Sequence, residues 1–172
     1  MYQPLWGRLR AGLLAALASF ILATSVLPAF AETGSPRTDV AVTILSDSTS
    51  PDDPDDGEIQ TLDIATYRLN LSQNGADSTS DVVATVSLVN ALFSDADPIA
   101  PGITPPSVCN SGSSISSDRR TLVCNVGRLR QGTAVALDYS AMASGDVANG
   151  DQLTGTVRVG ALAPVALPAL TI

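Results

Sequence analysis

The stretch Thr133-Ala134-Val135-Ala136-Leu137-Asp138-Tyr139-Ser140 sends Val135, Leu137 and Tyr139 to one side of an extended backbone and Ala134, Ala136, Asp138 and Ser140 to the other. Successive side chains of a strand point to opposite faces, so this alternation defines a strand with one buried and one wet face. The same period recurs on either side of it. Residues 81–89 direct Val82, Ala84, Val86 and Leu88 inward, and residues 153–159 do so with Leu153, Val157 and Val159. Residues 59–72 change phase, because Leu62 and Ile64 share one parity and Tyr67, Leu69 and Leu71 the other. A bulge near Ala65 and Thr66 would restore a common inward face.

Turn residues punctuate these runs: Asn74-Gly75 after the phase-shifted strand, Gly127 and Gly132 before Thr133, and Asn149-Gly150-Asp151 before Leu153. Such spacing predicts an all-β domain of about seven or eight strands, connected as a meander and folded into an antiparallel two-sheet sandwich. Residues 95–106 carry Pro98, Pro101, Pro105 and Pro106 and are expected to cross one end as irregular backbone. Residues 160–172, with Pro164 and Pro168, read as an edge strand or linker too short to span a bilayer.

The N-terminal residues have a different character. Arg8 and Arg10 precede an uncharged apolar run over 11–27, and Ala29-Phe30-Ala31 places small residues at Ala29 and Ala31, the positions a signal peptidase reads. Residues 1–31 are therefore expected to form a cleavable signal helix, 32–37 a flexible leader and 38–172 the sandwich. Leu9 separates the two arginines, which favours the general secretory route over the twin-arginine route. The expected location is secreted or at the cell surface, with membrane attachment only through an uncleaved signal. Arginine as the sole strong base, together with abundant alanine, points to a GC-rich bacterial genome.

Cleavage after Ala31 leaves 141 of the 172 residues, and removing Arg8 and Arg10 leaves seven basic against seventeen acidic side chains, a formal charge of −10. A surface that acidic repels phosphate backbones and anionic headgroups, which argues against nucleic-acid and membrane-surface partners. Only Tyr67, Phe93 and Tyr139 remain as aromatics, a poor supply for stacking sugars or bases, and each is expected to be buried. The sequence has neither histidine nor lysine, so His-activated nucleophiles, Ser-Lys dyads and Schiff-base lysines all lack a required part. Non-catalytic function is expected, with no small-molecule substrate evident.

Two features remain that could carry chemistry. Cys109 and Cys124 are the only cysteines, and in an exported chain they are expected to form one structural disulfide. The acidic run from Asp52 to Glu58 can be read as a twelve-residue calcium loop, with Asp52 first, Asp56 fifth, Gly57 sixth and Asp63 twelfth. Pro54 occupies the third position, where a ligand oxygen is needed, and strands rather than helices flank the segment. A solvated acidic turn is the expectation; a calcium-dependent extracellular binding module on residues 52–63 is the alternative. Arg119-Arg120 and Arg128-Leu129-Arg130 read as surface charge balancing the acidic remainder.

Tyr67-Arg68-Leu69-Asn70-Leu71-Ser72-Gln73-Asn74-Gly75, together with Cys109 and the later run Leu122-Val123-Cys124-Asn125-Val126-Gly127-Arg128-Leu129-Arg130-Gln131-Gly132, resembles the conserved-repeat domain of bacterial surface proteins, the family called domain of unknown function eleven. Gln73 stands where that family usually carries asparagine, and the chain holds one copy where members usually hold several. The resemblance implies an immunoglobulin-like sandwich with a structural, spacer or adhesive role, contacting a protein or cell-wall partner. It implies no catalytic residues.

Millimolar calcium is expected to leave the melting temperature unchanged. A calcium-dependent rise that Asp56→Ala abolishes would establish the alternative instead.

Overall fold

The structure, a computed structural model, describes residues 34–47, 56–60, 63–94 and 105–172. The signal segment, its cleavage residues Ala29 and Ala31, and Asp52 lie outside them. Among the described residues there are ten strands and no helix: β1 (Arg37–Ser46), β2 (Ile64–Asn74), β3 (Val82–Val89), β4 (Ala91–Ser94), β5 (Ser114–Ile115), β6 (Thr121–Gly127), β7 (Ala134–Ala143), β8 (Gln152–Val159), β9 (Val165–Ala166) and β10 (Leu170–Thr171). The excess over seven or eight comes from the two-residue pieces β5, β9 and β10, which lie at sheet margins. Strand β1 begins at Arg37, one residue ahead of the expected start of the sandwich. Strand β7 runs three residues past Ser140, because Ala141 and Ala143 continue the inward parity and are buried.

The strands form two antiparallel sheets. One has the order β1-β2-β7-β4; the other has the order β10-β8-β3-β6-β5, with β9 also paired to β8. This corrects the expected meander. The chain changes sheet between β2 and β3, between β3 and β4, between β4 and β5, between β6 and β7, and between β7 and β8. A sheet with one apolar face gains most when the next strand covers that face, and crossing between layers achieves this. In the first sheet β7 lies between β2 and β4, and in the second β3 lies between β8 and β6, so the two layers form an antiparallel sandwich. The crossing from β3 to β4 turns at Asn90, whose φ of 61° lies in the left-handed region and whose side chain donates to the Gln152 carbonyl at 3.0 Å.

Inward residues of both sheets meet in one cluster that includes Tyr67, Leu69 and Leu71 of β2, Val86 of β3, Leu122 of β6, Leu137 of β7 and Val157 of β8. The period-two readings of β3, β7 and β8 are all observed as buried faces, except that Val135 is only partly buried. The bulge expected in β2 near Ala65 and Thr66 is not there. The β2–β7 ladder is uninterrupted from Ile64↔Met142 to Ser72↔Ala134, and the irregularity falls in β1 between Ile44 and Ser46. Leu45 is the extra residue and is 43% exposed. Bulges are commonest on edge strands, and β1 is an edge of its sheet whereas β2 is paired on both sides. Ile59 does not begin β2. It is 1% exposed and enters the core beside a parallel bridge between Glu58 and Thr171.

Aromatic packing fixes the middle of the first sheet. Tyr67 and Tyr139 are direct cross-strand partners, with rings stacked 5.6 Å apart, and Phe93 meets Tyr139 edge-on at 5.7 Å. Such pairs add about 0.5–1.5 kcal/mol beyond area burial. The Tyr67 hydroxyl donates to the Pro168 carbonyl at 3.4 Å, a long bond, and the buried Tyr139 hydroxyl has no partner. Burial raises both phenol pKa values well above the usual range, and the negative charge of Asp47 adds to the effect at Tyr67.

Cys109 and Cys124 form the expected disulfide, with Cα atoms 5.1 Å apart. Cys124 faces the core from β6, and the Asn110 N–H donates to the Asn125 carbonyl at 2.7 Å beside it. The bridge ties an incoming loop to β6 and does not join the two sheets. Closing a loop with a sequence separation of 15 contributes about 3 kcal/mol by chain entropy. Pro105 and Pro106 lie outside strands, as expected, and β9 and β10 make residues 160–172 an edge of the second sheet.

Two outcomes follow from the tyrosines. Their folded-state pKa values lie above the unfolded value near 10, so the folded state retains phenolic protons that the unfolded chain loses, and stability falls as pH rises past about 10. In an alkaline titration, phenolate absorbance should therefore appear together with loss of β-sheet circular dichroism rather than ahead of it. Tyr139→Phe removes a hydroxyl that makes no bond and should leave denaturant stability unchanged or raise it by up to about 1 kcal/mol.

Candidate functional site

The chain's polar and charged features gather at the two poles of the sandwich. Ladder registers define the poles: Arg37, Asn74, Gly127 and Val159 lie toward one, and Ser46, Ile64, Met142 and Leu153 toward the other.

At the N-terminal pole, Gln73 continues the inward parity of Tyr67, Leu69 and Leu71 into a position that is 1% exposed. Its Oε1 accepts from the Thr38 hydroxyl at 2.7 Å, and its Nε2 donates to the Ala76 carbonyl at 2.6 Å. Its backbone N–H donates to Thr133 O at 2.9 Å, and its carbonyl accepts from Gly132 N at 2.8 Å. Side chain and backbone of this one residue thus join β1, the turn after β2 and the approach to β7. Gly75 follows at φ 75°, and a Cβ there would sit 2.3 Å from the Ser35 carbonyl oxygen, so glycine is required on both counts.

The loop from β6 to β7 is held equally firmly. Leu129 is buried; its N–H donates to the Ser78 hydroxyl at 2.9 Å, and its carbonyl accepts from Ser78 N at 2.8 Å. The Gln131 N–H donates to Asp77 Oδ1 at 2.8 Å. With Leu129 turned inward, Arg128 and Arg130 are both exposed. The other basic pair behaves differently. Arg119 gives two hydrogen bonds, 2.9 and 2.6 Å, to the Phe93 carbonyl, and Arg120 approaches Asp146 at 4.0 Å. On the outer face of the first sheet, Arg68 grips Asp138 through two bonds of 2.7 Å, which hold the Asp138 carboxyl below its usual range.

At the C-terminal pole, Asp47 follows the bulge of β1 and is 2% exposed. Its Oδ2 accepts from the Gly57 N–H at 2.7 Å, which pins the end of the acidic loop to the end of β1. Ile59 N donates to Thr171 O at 2.7 Å and Thr171 N to Gly57 O at 2.9 Å, and Gly150 N donates to Ile172 O at 2.6 Å. Of the proposed calcium ligands, Asp52 is not described. Asp56 is exposed, with Oδ1 accepting from Glu58 N at 3.0 Å, and Asp63 is half-buried just ahead of β2. Among the described residues no three carboxylates, cysteines or histidines stand together as a metal-holding group. A cleft of about 490 Å³ opens at this pole, lined by Glu58, Ile59, Gln60, Asn149, Thr171 and Ile172.

Gln73 and Asp47 were both missed in the sequence. Gln73 could have been found by extending the inward parity one step past Leu71, and Asp47 only by placing the bulge in β1. No protein-family model matches the chain, and no curated protein matches it.

Gln73→Ala strips the Thr38 hydroxyl and the Ala76 carbonyl of their partners. It should cost about 2–3 kcal/mol in urea unfolding.

Proposed function

We propose that this chain is an exported, non-catalytic, immunoglobulin-like module of the conserved-repeat type, acting as a structural spacer or adhesive unit at the bacterial cell surface. The observation that carries the reading is the two-sheet sandwich with its disulfide, in which β1 runs from one pole to the other, roughly 30 Å at about 3.3 Å per residue.

The disulfide supports an oxidising location, and loops at both poles offer variable contact surfaces on a rigid scaffold. The acidic surface keeps such a module soluble and directs its contacts toward protein or wall components. Mass spectrometry of protein collected outside the cytoplasm should show a chain beginning at Glu32 and lighter by two hydrogens than its reduced form. An intact N-terminus with two free thiols, confined to the cytosol, would refute the reading.

A further inference from the structure

We propose that copies of this chain dock end to end, the Arg128-Leu129-Arg130 loop of one entering the acidic cleft at the C-terminal pole of the next. The loop is prepared for this. Its backbone is fixed by Ser78 on both sides of Leu129 and by Asp77 at Gln131, so docking immobilises two side chains and no main chain. The acidic residues around it are engaged within their own pole: Asp77 with Gln131 N, Asp81 with Asn125 Nδ2, and Asp39 with Arg37 and Asn74. Among the described residues neither Arg128 nor Arg130 makes an ion pair, which leaves two outward guanidinium groups on that pole.

The opposite pole is complementary. Glu58 lines the cleft together with Ile59, Gln60, Asn149, Thr171 and Ile172, and Asp56 and Asp151, each two residues from a lining residue, are exposed. An arginine side chain has an apolar stem and a charged head, which suits a mixed lining of Ile59, Ile172 and polar groups that includes the Glu58 carboxylate. Side-by-side approach of two acidic molecules brings like charge to like charge, whereas end-on approach places the guanidinium pair against the carboxylates. The contact is heterologous and joins opposite poles, so it propagates head to tail from one copy to the next. With a contact area this small the expected Kd is on the order of 1 mM.

This deepens the spacer reading, on which its biological sense rests. The docking is measured on purified protein and the location by fractionation, so either can fail alone. Sedimentation velocity over a concentration series should show association at 50 mM salt that 500 mM salt abolishes, because screening shortens the Debye length to a few ångströms. The Arg128→Glu/Arg130→Glu variant and the Asp56→Arg/Glu58→Arg variant should each lose association at least tenfold while keeping the wild-type melting temperature. Their equimolar mixture should regain it, since every mixed interface then pairs opposite charges. A wild type that stays monomeric at millimolar concentration and low salt, or a mixture that stays monomeric, overturns the proposal. So does binding of polyglutamate through the arginine pair without self-association, which would mark the loop as a site for an anionic polymer.

Discussion

The cross-strand pairing of β2 with β7 is the constraint on which the remaining structure depends. Nine consecutive residue pairs run from Ile64↔Met142 to Ser72↔Ala134 without a break, and they hold Tyr67 against Tyr139 at the centre of the sheet. In a domain with three aromatic side chains, those rings fill volume that aliphatic residues would leave poorly packed. A slip of one residue would turn the inward set of one strand to solvent, either Tyr67, Leu69 and Leu71 of β2 or Leu137 and Tyr139 of β7. With this ladder uninterrupted, irregularity is displaced to β1, where Leu45 bulges on the free edge, and to Asn90, where the chain leaves one sheet for the other.

The strands were legible wherever alternation and a one-sided environment coincide. Residues 82–89 and 153–159 show their buried faces directly in the order of their side chains, and Asn74-Gly75 marks the end of β2 at the residue where the ladder stops. Connectivity was not legible, because a turn signal between two strands reports that the chain bends and not which sheet it bends toward. The choice between meander and crossing depends on which apolar face lacks a cover, and that is a property of the assembled layers.

The poles were the least legible part. Gln73 is polar by identity and buried by position, and only the hydrogen bonds to Thr38 and Ala76 reconcile the two. Asp47 is buried behind a bulge that shifts its parity. Arg119 and Arg128 look alike as letters, yet the first is spent on the Phe93 carbonyl and the second stands in solvent. Distinguishing them requires knowing that Leu129 is anchored to Ser78, fifty-one positions away in the chain.

The ends of the domain are secured unequally, and this has a mechanical meaning. Tension applied at the two poles would load β1 in shear, with its ladder to β2 spread along most of its ten residues and resisting together. At the other end, β10 is short, paired to β8 at Leu170 and Thr171 and tied by Thr171 to Gly57 and Ile59 on its other side. The load there would fall on a few bonds shared among three segments, while the cystine keeps residues 109–124 from lengthening even after β6 gives way.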